Sequence, residues 1–191
     1  MSRLRTFIAV DFGKAIRKRV VALQDTLAQS GTAVKWVEAD NLHVTLLFLG
    51  EVDARDVPAV CRVVTDCCTQ LPAFPMSVET VGCFPNLRRP RVVWVGVGAG
   101  TQELCHLHDL LEPPLLELGC YRREQRKYTP HITLGRVKSD HKPPDALARA
   151  LAQHAGWKGG ETVVNEVLVL SSELTPDGPI YSVLGRGKLM G

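Results

Sequence analysis

Hydrophobic and polar positions along the chain change period several times, and each change marks an element. TFIAVDF (6–12) is a short, nearly continuous apolar run of the length of a buried strand. KAIRKRVVALQDTLAQS follows, with Ile16, Val20, Leu23 and Leu27 at three- and four-residue spacing, and predicts a helix that stops at Gly31. AVKWVE leads into a strand, NLHVTLLFLG (41–50). A second helix over ARDVPAVCRVVTDCCTQL ends at Pro72, and FPMSVETVGCF is a strand closing at Pro85.

RVVWVGVG opens a second series. It predicts a helix from about Thr101 to Leu118, broken or kinked near Pro113 and Pro114, and then a strand over TPHITLGRV. A short helix at PDALARALAQHA, one long strand over ETVVNEVLVLSSEL, a turn at Thr175 to Pro179 and a last strand, IYSVLGRGKL, complete the chain. The order of elements nearly repeats that of the first series. The pattern therefore predicts a single domain over residues 1–191, built by internal duplication with halves of roughly 1–86 and 87–191.

Within this pattern one tetrad occurs twice, His-x-Thr-Leu, as HVTL at His43 and HITL at His131. Composition alone makes two copies roughly a one in a thousand event. Strand alternation puts His43, Thr45 and Leu47 on one face and Val44, Leu46 and Phe48 on the other; His131, Thr133 and Gly135 likewise share a face. A lone histidine in an apolar strand is more often a bonded core residue, but the repetition points to a site. If each half folds as a small sheet with helices on one face, a pseudo-twofold arrangement turns the two motif faces toward each other across a cleft.

Composition adds limits. Hydrophobic residues are 45% and charged residues 23%, as in a soluble globule, and no apolar run approaches the ~20 residues of a membrane span. The start, MSRLRTFIAVDFG, lacks a secretory apolar region, so the expected location is the cytoplasm. Six cysteines form no Cys-x-x-Cys pair and are expected to be reduced packing thiols. CHLH (105–108) falls in a helical pattern where positions two apart do not face each other, so no metal site is expected there. His141 and His154 flank helices in polar sequence and are expected to be solvated. The net charge of +3 is mild, but NLRRPR (Arg88, Arg89, Arg91) and YRREQRK (Arg122, Arg123, Arg126, Lys127) concentrate it near the suspected site and favour an anionic substrate.

Two facing histidines are an acid and a base, because the ordinary imidazole pKa of about 6.5 lets one ring be neutral and the other protonated near pH 7. Threonine hydroxyls beside them can donate to oxygens of the reacting centre. Phosphorus suits this layout, since in-line displacement places attacking and leaving oxygens on opposite sides. The sequence has no Gly-x-Ser-x-Gly elbow, and GVGAG (96–100) lacks the spacing and lysine of a P-loop, so neither a serine triad nor ATP is indicated.

KWVEADNLHVTLLFLGEV, RRPRVVWVGV and PHITLGRV together resemble the two-histidine phosphoesterase superfamily, and within it the bacterial and archaeal RNA 2',3'-cyclic phosphodiesterases, formerly labelled 2'-5' RNA ligases. The likeness runs from about residue 4 to the end. It implies an α+β fold, bilobal and duplicated, with two antiparallel-rich sheets, helices on their outer faces and a central cleft. It implies cofactor-free, metal-independent opening of a 2',3'-cyclic phosphate on RNA to a 2'-phosphate. By the same resemblance His43 is the proton donor to the leaving 3'-oxygen and His131 the proton acceptor from water, while Thr45, Thr133 and Arg136 bind the phosphate. Many relatives carry a lysine or arginine directly after the first motif, where this chain has Leu47, which implies one cationic contact fewer. RNA bearing a cyclic phosphate end is the expected partner; no membrane or protein partner is indicated. Phe84, Trp36 and Tyr128 are candidates for base stacking, though aromatics so placed are more often core. Alternatives are ATP-independent 2'-5' ligation by the reverse chemistry, a non-catalytic RNA-end binder, and a duplication with two structural histidines.

Overall fold

The fold comes from a computed structural model that describes residues 2–31, 33–123, 126–138, 145–176 and 178–190. Its strands are β1 (Arg3–Val10), β2 (Val34–Trp36), β3 (Val44–Asp53), β4 (Phe74–Phe84), β5 (Val92–Val97), β6 (His131–Val137), β7 (Lys158–Val164), β8 (Glu166–Thr175) and β9 (Gly178–Lys188). Its helices are α1 (Gly13–Ala28), α2 (Val57–Cys68), α3 (Thr101–Glu117) and α4 (Asp145–Gln153), with a 3-10 turn at Ala39–Asn41. The fold is α+β, as expected.

The strands run β7, β4, β5, β6, β3, β1, β8, β9, with β2 added to β6. All named pairings are antiparallel. The junction between β3 and β6 consists of the single pair Val44↔Ile132. Two antiparallel half-sheets therefore meet at one point, and the two motif strands diverge from it. Each lobe draws on both halves of the chain: β4 pairs with β5, and β8 with β1. A division at residue 86 thus does not separate the half-sheets. The physical reason is that β4 of the first half pairs with β5 and β7 of the second, and β8 of the second half pairs with β1 of the first.

Helices α1 and α4 pack toward β7 and β4, and α2 and α3 toward β8, β9 and β3. Their apolar stripes supply the core: Ile16, Val20, Leu23 and Leu27 from α1 and Leu104, Leu107, Leu111 and Leu115 from α3 are buried. Two sequence expectations are corrected. Helix α3 runs unbroken through Pro113 and Pro114; the carbonyl of Leu110, which Pro114 cannot serve, lies 3.5 Å from the Cys67 Sγ. The stretch 161–174 is two strands parted at Asn165, because β7 joins β4 whereas β8 joins β1.

Among the described residues no helix is long and apolar enough to cross a membrane, and no group of three or more metal-ligating side chains occurs. All six cysteines are free thiols. His154 is half-buried, its Nδ1 donating to the Ala150 carbonyl at 2.8 Å; His141 lies outside the described residues.

Candidate active site

Both motif strands carry a β-bulge at the same place. On β3, Ala9 pairs with Thr45 but Ile8 with Leu47, so Leu46 is an extra residue. On β6, Trp94 pairs with Thr133 but Val93 with Gly135, which makes Leu134 the extra one. Each bulge reverses the alternation behind it. Leu47 is thereby buried, at 2% exposure, and Phe48 turns out to the cleft. Arg136 is turned to the cleft in the same way. The expectation that Leu47 shares the histidine face is corrected, and with it the significance of its missing charge: that position points into the core.

A cleft of about 360 Å³ opens where the half-sheets part. Four of the five expected residues, His43, Thr45, Thr133 and Arg136, line it together with Arg5, Phe7, Lys35, Trp36, Phe48 and Tyr181. His131 stands two residues before Thr133 at the start of β6, its ring edge-on to Phe84 at 5.1 Å and 6.5 Å from that of Trp94. Of the aromatics considered, Trp36 lines the cleft, Phe84 rests on His131, and Tyr128 lies beneath the floor, stacked on His108 at 4.5 Å.

The histidines are oriented alike. His43 Nδ1 donates to the Asn41 carbonyl at 2.8 Å and His131 Nδ1 to the Thr129 carbonyl at 2.7 Å. A carbonyl only accepts, so each Nδ1 carries the proton and each neutral ring keeps its lone pair on Nε2. His43 Nε2 then accepts from the Thr45 hydroxyl at 2.9 Å. The turn that supplies the Asn41 carbonyl is itself pinned: Arg17, ion-paired with Asp11, donates to the Ala39 and Leu42 carbonyls at 2.6 and 2.9 Å.

Burial holds the pKa of both histidines below the ordinary 6.5. The backbone carbonyls oppose this, and nearby cations reinforce it: Arg17 for His43, as does His131 when protonated, and Arg136 for His131. Asp11 pulls His43 the other way.

Near the point where β3 and β6 diverge, two side chains add donors to backbone carbonyls. The Tyr128 hydroxyl donates to the Thr45 carbonyl at 2.9 Å, and Gln24 Nε2 donates to the Val37 and Leu134 carbonyls, each at 2.9 Å. Sequence reasoning missed Gln24 and this role of Tyr128. The available signal was a lone glutamine one position past Leu23 on the apolar stripe of α1.

Comparison with known proteins agrees with this geometry. The sequence model of the family described as LigT like phosphoesterase matches twice, over residues 10–94 and 95–181, one motif in each match. RNA 2',3'-cyclic phosphodiesterase of Methanothermobacter thermautotrophicus is 38% identical over 94% of this chain and 96% of its own length. The enzyme of the same name from Archaeoglobus fulgidus is 38% identical over 95% of this chain and 98% of its own. Among solved structures, Escherichia coli LigT complexed with 3'-AMP superposes with a TM-score of 0.78 at 28% identity, covering 100% of both chains. TT0787 of Thermus thermophilus gives 0.81 at 27% identity, covering 98% of this chain and 99% of its own. With two motif-bearing repeats, a duplicated α+β fold and relatives that match it nearly end to end, the chain belongs to the LigT-like phosphoesterase family.

Proposed function

We propose that the protein is a hydrolase that opens the 2',3'-cyclic phosphate at the end of an RNA to a 2'-phosphomonoester. The observation that carries this reading is the matched presentation of two neutral imidazoles, each fixed through Nδ1 with Nε2 left for chemistry, on strands that diverge from one pair at a cleft. The names carried by the relatives support the substrate.

In the proposed step water attacks phosphorus while His131 Nε2 takes its proton. The bond from phosphorus to the 3'-oxygen breaks, and protonated His43 gives its Nε2 proton to that oxygen. Atoms and charge balance, with the proton returned from His131 to His43 through solvent. Thr45, Thr133 and Arg136 hold the phosphate oxygens. Burial together with Arg136 keeps His131 neutral, as a base requires; for His43, the bound phosphate anion opposes the effect of burial and favours the imidazolium. No step calls on a metal or cofactor. Six free thiols suit a reducing compartment, and the cytoplasm is the inferred location.

The test is end-group analysis of a short RNA with a 2',3'-cyclic phosphate, incubated in chelator with the parent protein, His43→Ala and His131→Ala. The expected result is conversion to a 2'-phosphate by the parent, with each variant slowed by about 10²–10⁴-fold. A folded parent that leaves the end intact overturns the hydrolase reading; a 3'-phosphate product overturns the assignment of the leaving oxygen.

A further inference from the structure

The two bulges make the cleft unlike on its two sides. Five residues after each motif histidine the chain turns into the cleft, at Arg136 on β6 and at Phe48 on β3. A site built for a phosphate alone has use for a cation at both positions. Instead, Phe48 is 40% exposed, the one aromatic among the exposed large hydrophobic side chains of the described residues.

The surroundings of Phe48 suit a nucleobase. The Arg5 guanidinium lies 5.0 Å from its ring centroid, and the half-exposed rim of the cleft continues to Leu174 on β8, itself 67% exposed. Phe7 separates Phe48 from the catalytic ring: its centroid is 6.3 Å from that of Phe48 and 4.9 Å from that of His43. Phe7 is 2% exposed, so it is floor and offers no face to a ligand. A terminal sugar whose 3'-oxygen touches His43 occupies the space over this floor and against Tyr181, whose ring meets His43 edge-on at 5.5 Å. Phe48 is then one ring further out. Two cations, Arg5 and Arg136, line the same cleft as Tyr181. A cyclic mononucleotide has one phosphate, whereas an RNA end presents a second, joining its last two nucleotides.

We propose that Phe48 and Arg5 form a subsite for the nucleotide preceding the one that bears the cyclic phosphate, the Phe48 ring stacking its base and the Arg5 guanidinium meeting the linking phosphate. The proposal rests on the hydrolase reading and deepens it: the enzyme recognises an RNA end of at least two nucleotides, with stacking that tolerates any base.

The test compares kcat/KM for a 2',3'-cyclic mononucleotide and for a dinucleotide ending in the same cyclic phosphate, using the parent, Phe48→Ala, Phe48→Trp and Arg5→Gln, each with its melting temperature measured. The parent is expected to favour the dinucleotide. Phe48→Ala should shrink that preference by about tenfold, the scale of one base stacked on an aromatic ring, and Phe48→Trp should restore it. Arg5→Gln should lower the salt dependence of kcat/KM for the dinucleotide by about 0.7 in log–log slope, one phosphate contact on a single strand. Equal losses on both substrates, or an unchanged preference in Phe48→Ala, overturn the subsite alone. A folded parent that turns over neither substrate overturns the hydrolase reading and the subsite with it.

Discussion

Phe48 and Arg136 occupy equivalent positions on the two motif strands, each carried to the cleft by a bulge at the residue directly after the motif threonine. Strict alternation places both on the far side of the sheet from the histidines. The duplication thus reproduced a backbone irregularity as well as a motif, and the two halves diverged in what that irregularity presents.

Because burial lowers both histidine pKa values, the free enzyme holds one proton on the pair only at mildly acidic pH. The expected pH profile of kcat/KM is therefore bell-shaped with its optimum below 6.5, while kcat, measured with the phosphate anion bound, peaks at higher pH. Steady-state kinetics from pH 4.5 to 8 decide this, and a kcat/KM optimum above 7 would contradict it. The same lowered values mean that the unfolded chain binds more protons, so stability should fall as pH drops through 6.5.

Tyr128→Phe removes the donor to the Thr45 carbonyl, a group that lies in the gap between β3 and β6. Leaving a buried acceptor unpaired costs about 1–3 kcal/mol, to be read from urea denaturation. Since Thr45 bonds His43 Nε2, kcat should fall more than KM rises. An unchanged kcat would confine Tyr128 to the core.

Gln24→Leu keeps the apolar stripe of α1 but takes the Gln24 donor from the Val37 carbonyl and leaves the Leu134 carbonyl with the Val37 N–H. The expected loss is again about 1–3 kcal/mol, although the substitution adds apolar surface. If the variant is as stable as the parent in chemical denaturation, the half-sheets do not need this wedge.

Gly135→Ala tests how the cleft wall is seated. An added Cβ would lie 2.6 Å from Val34 Cγ1 and 3.0 Å from both the Lys35 carbonyl oxygen and the Trp36 ring. Overpacking of this kind costs about 1–3 kcal/mol. Displacement of β2, which brings Lys35 and Trp36 to the cleft, should raise KM for the RNA end. Melting temperature and KM measured on one preparation check both effects.

The sequence by itself determined the elements, the α+β class and the pair of motifs, because these depend on local periodicity: apolar positions three and four apart in α1 and α3, and alternation through His43-Val44-Thr45 and His131-Ile132-Thr133. Such patterns survive without knowledge of what packs against them. It also carried the duplication, which is a property of order along the chain. What only the tertiary structure decided was set by partners distant in sequence. The bulges at Leu46 and Leu134 exist through their registers with β1 and β5, so the inward turn of Leu47 and the outward turn of Phe48 were invisible to alternation. The helix through Pro113 and Pro114 persists because α3 buries Leu111 and Leu115 on either side of the prolines, and the break at Asn165 arises because β7 and β8 belong to different half-sheets. Gln24 and Tyr128 gained their roles from the Leu134 and Thr45 carbonyls, each more than eighty residues away in sequence and brought near only by the folded chain.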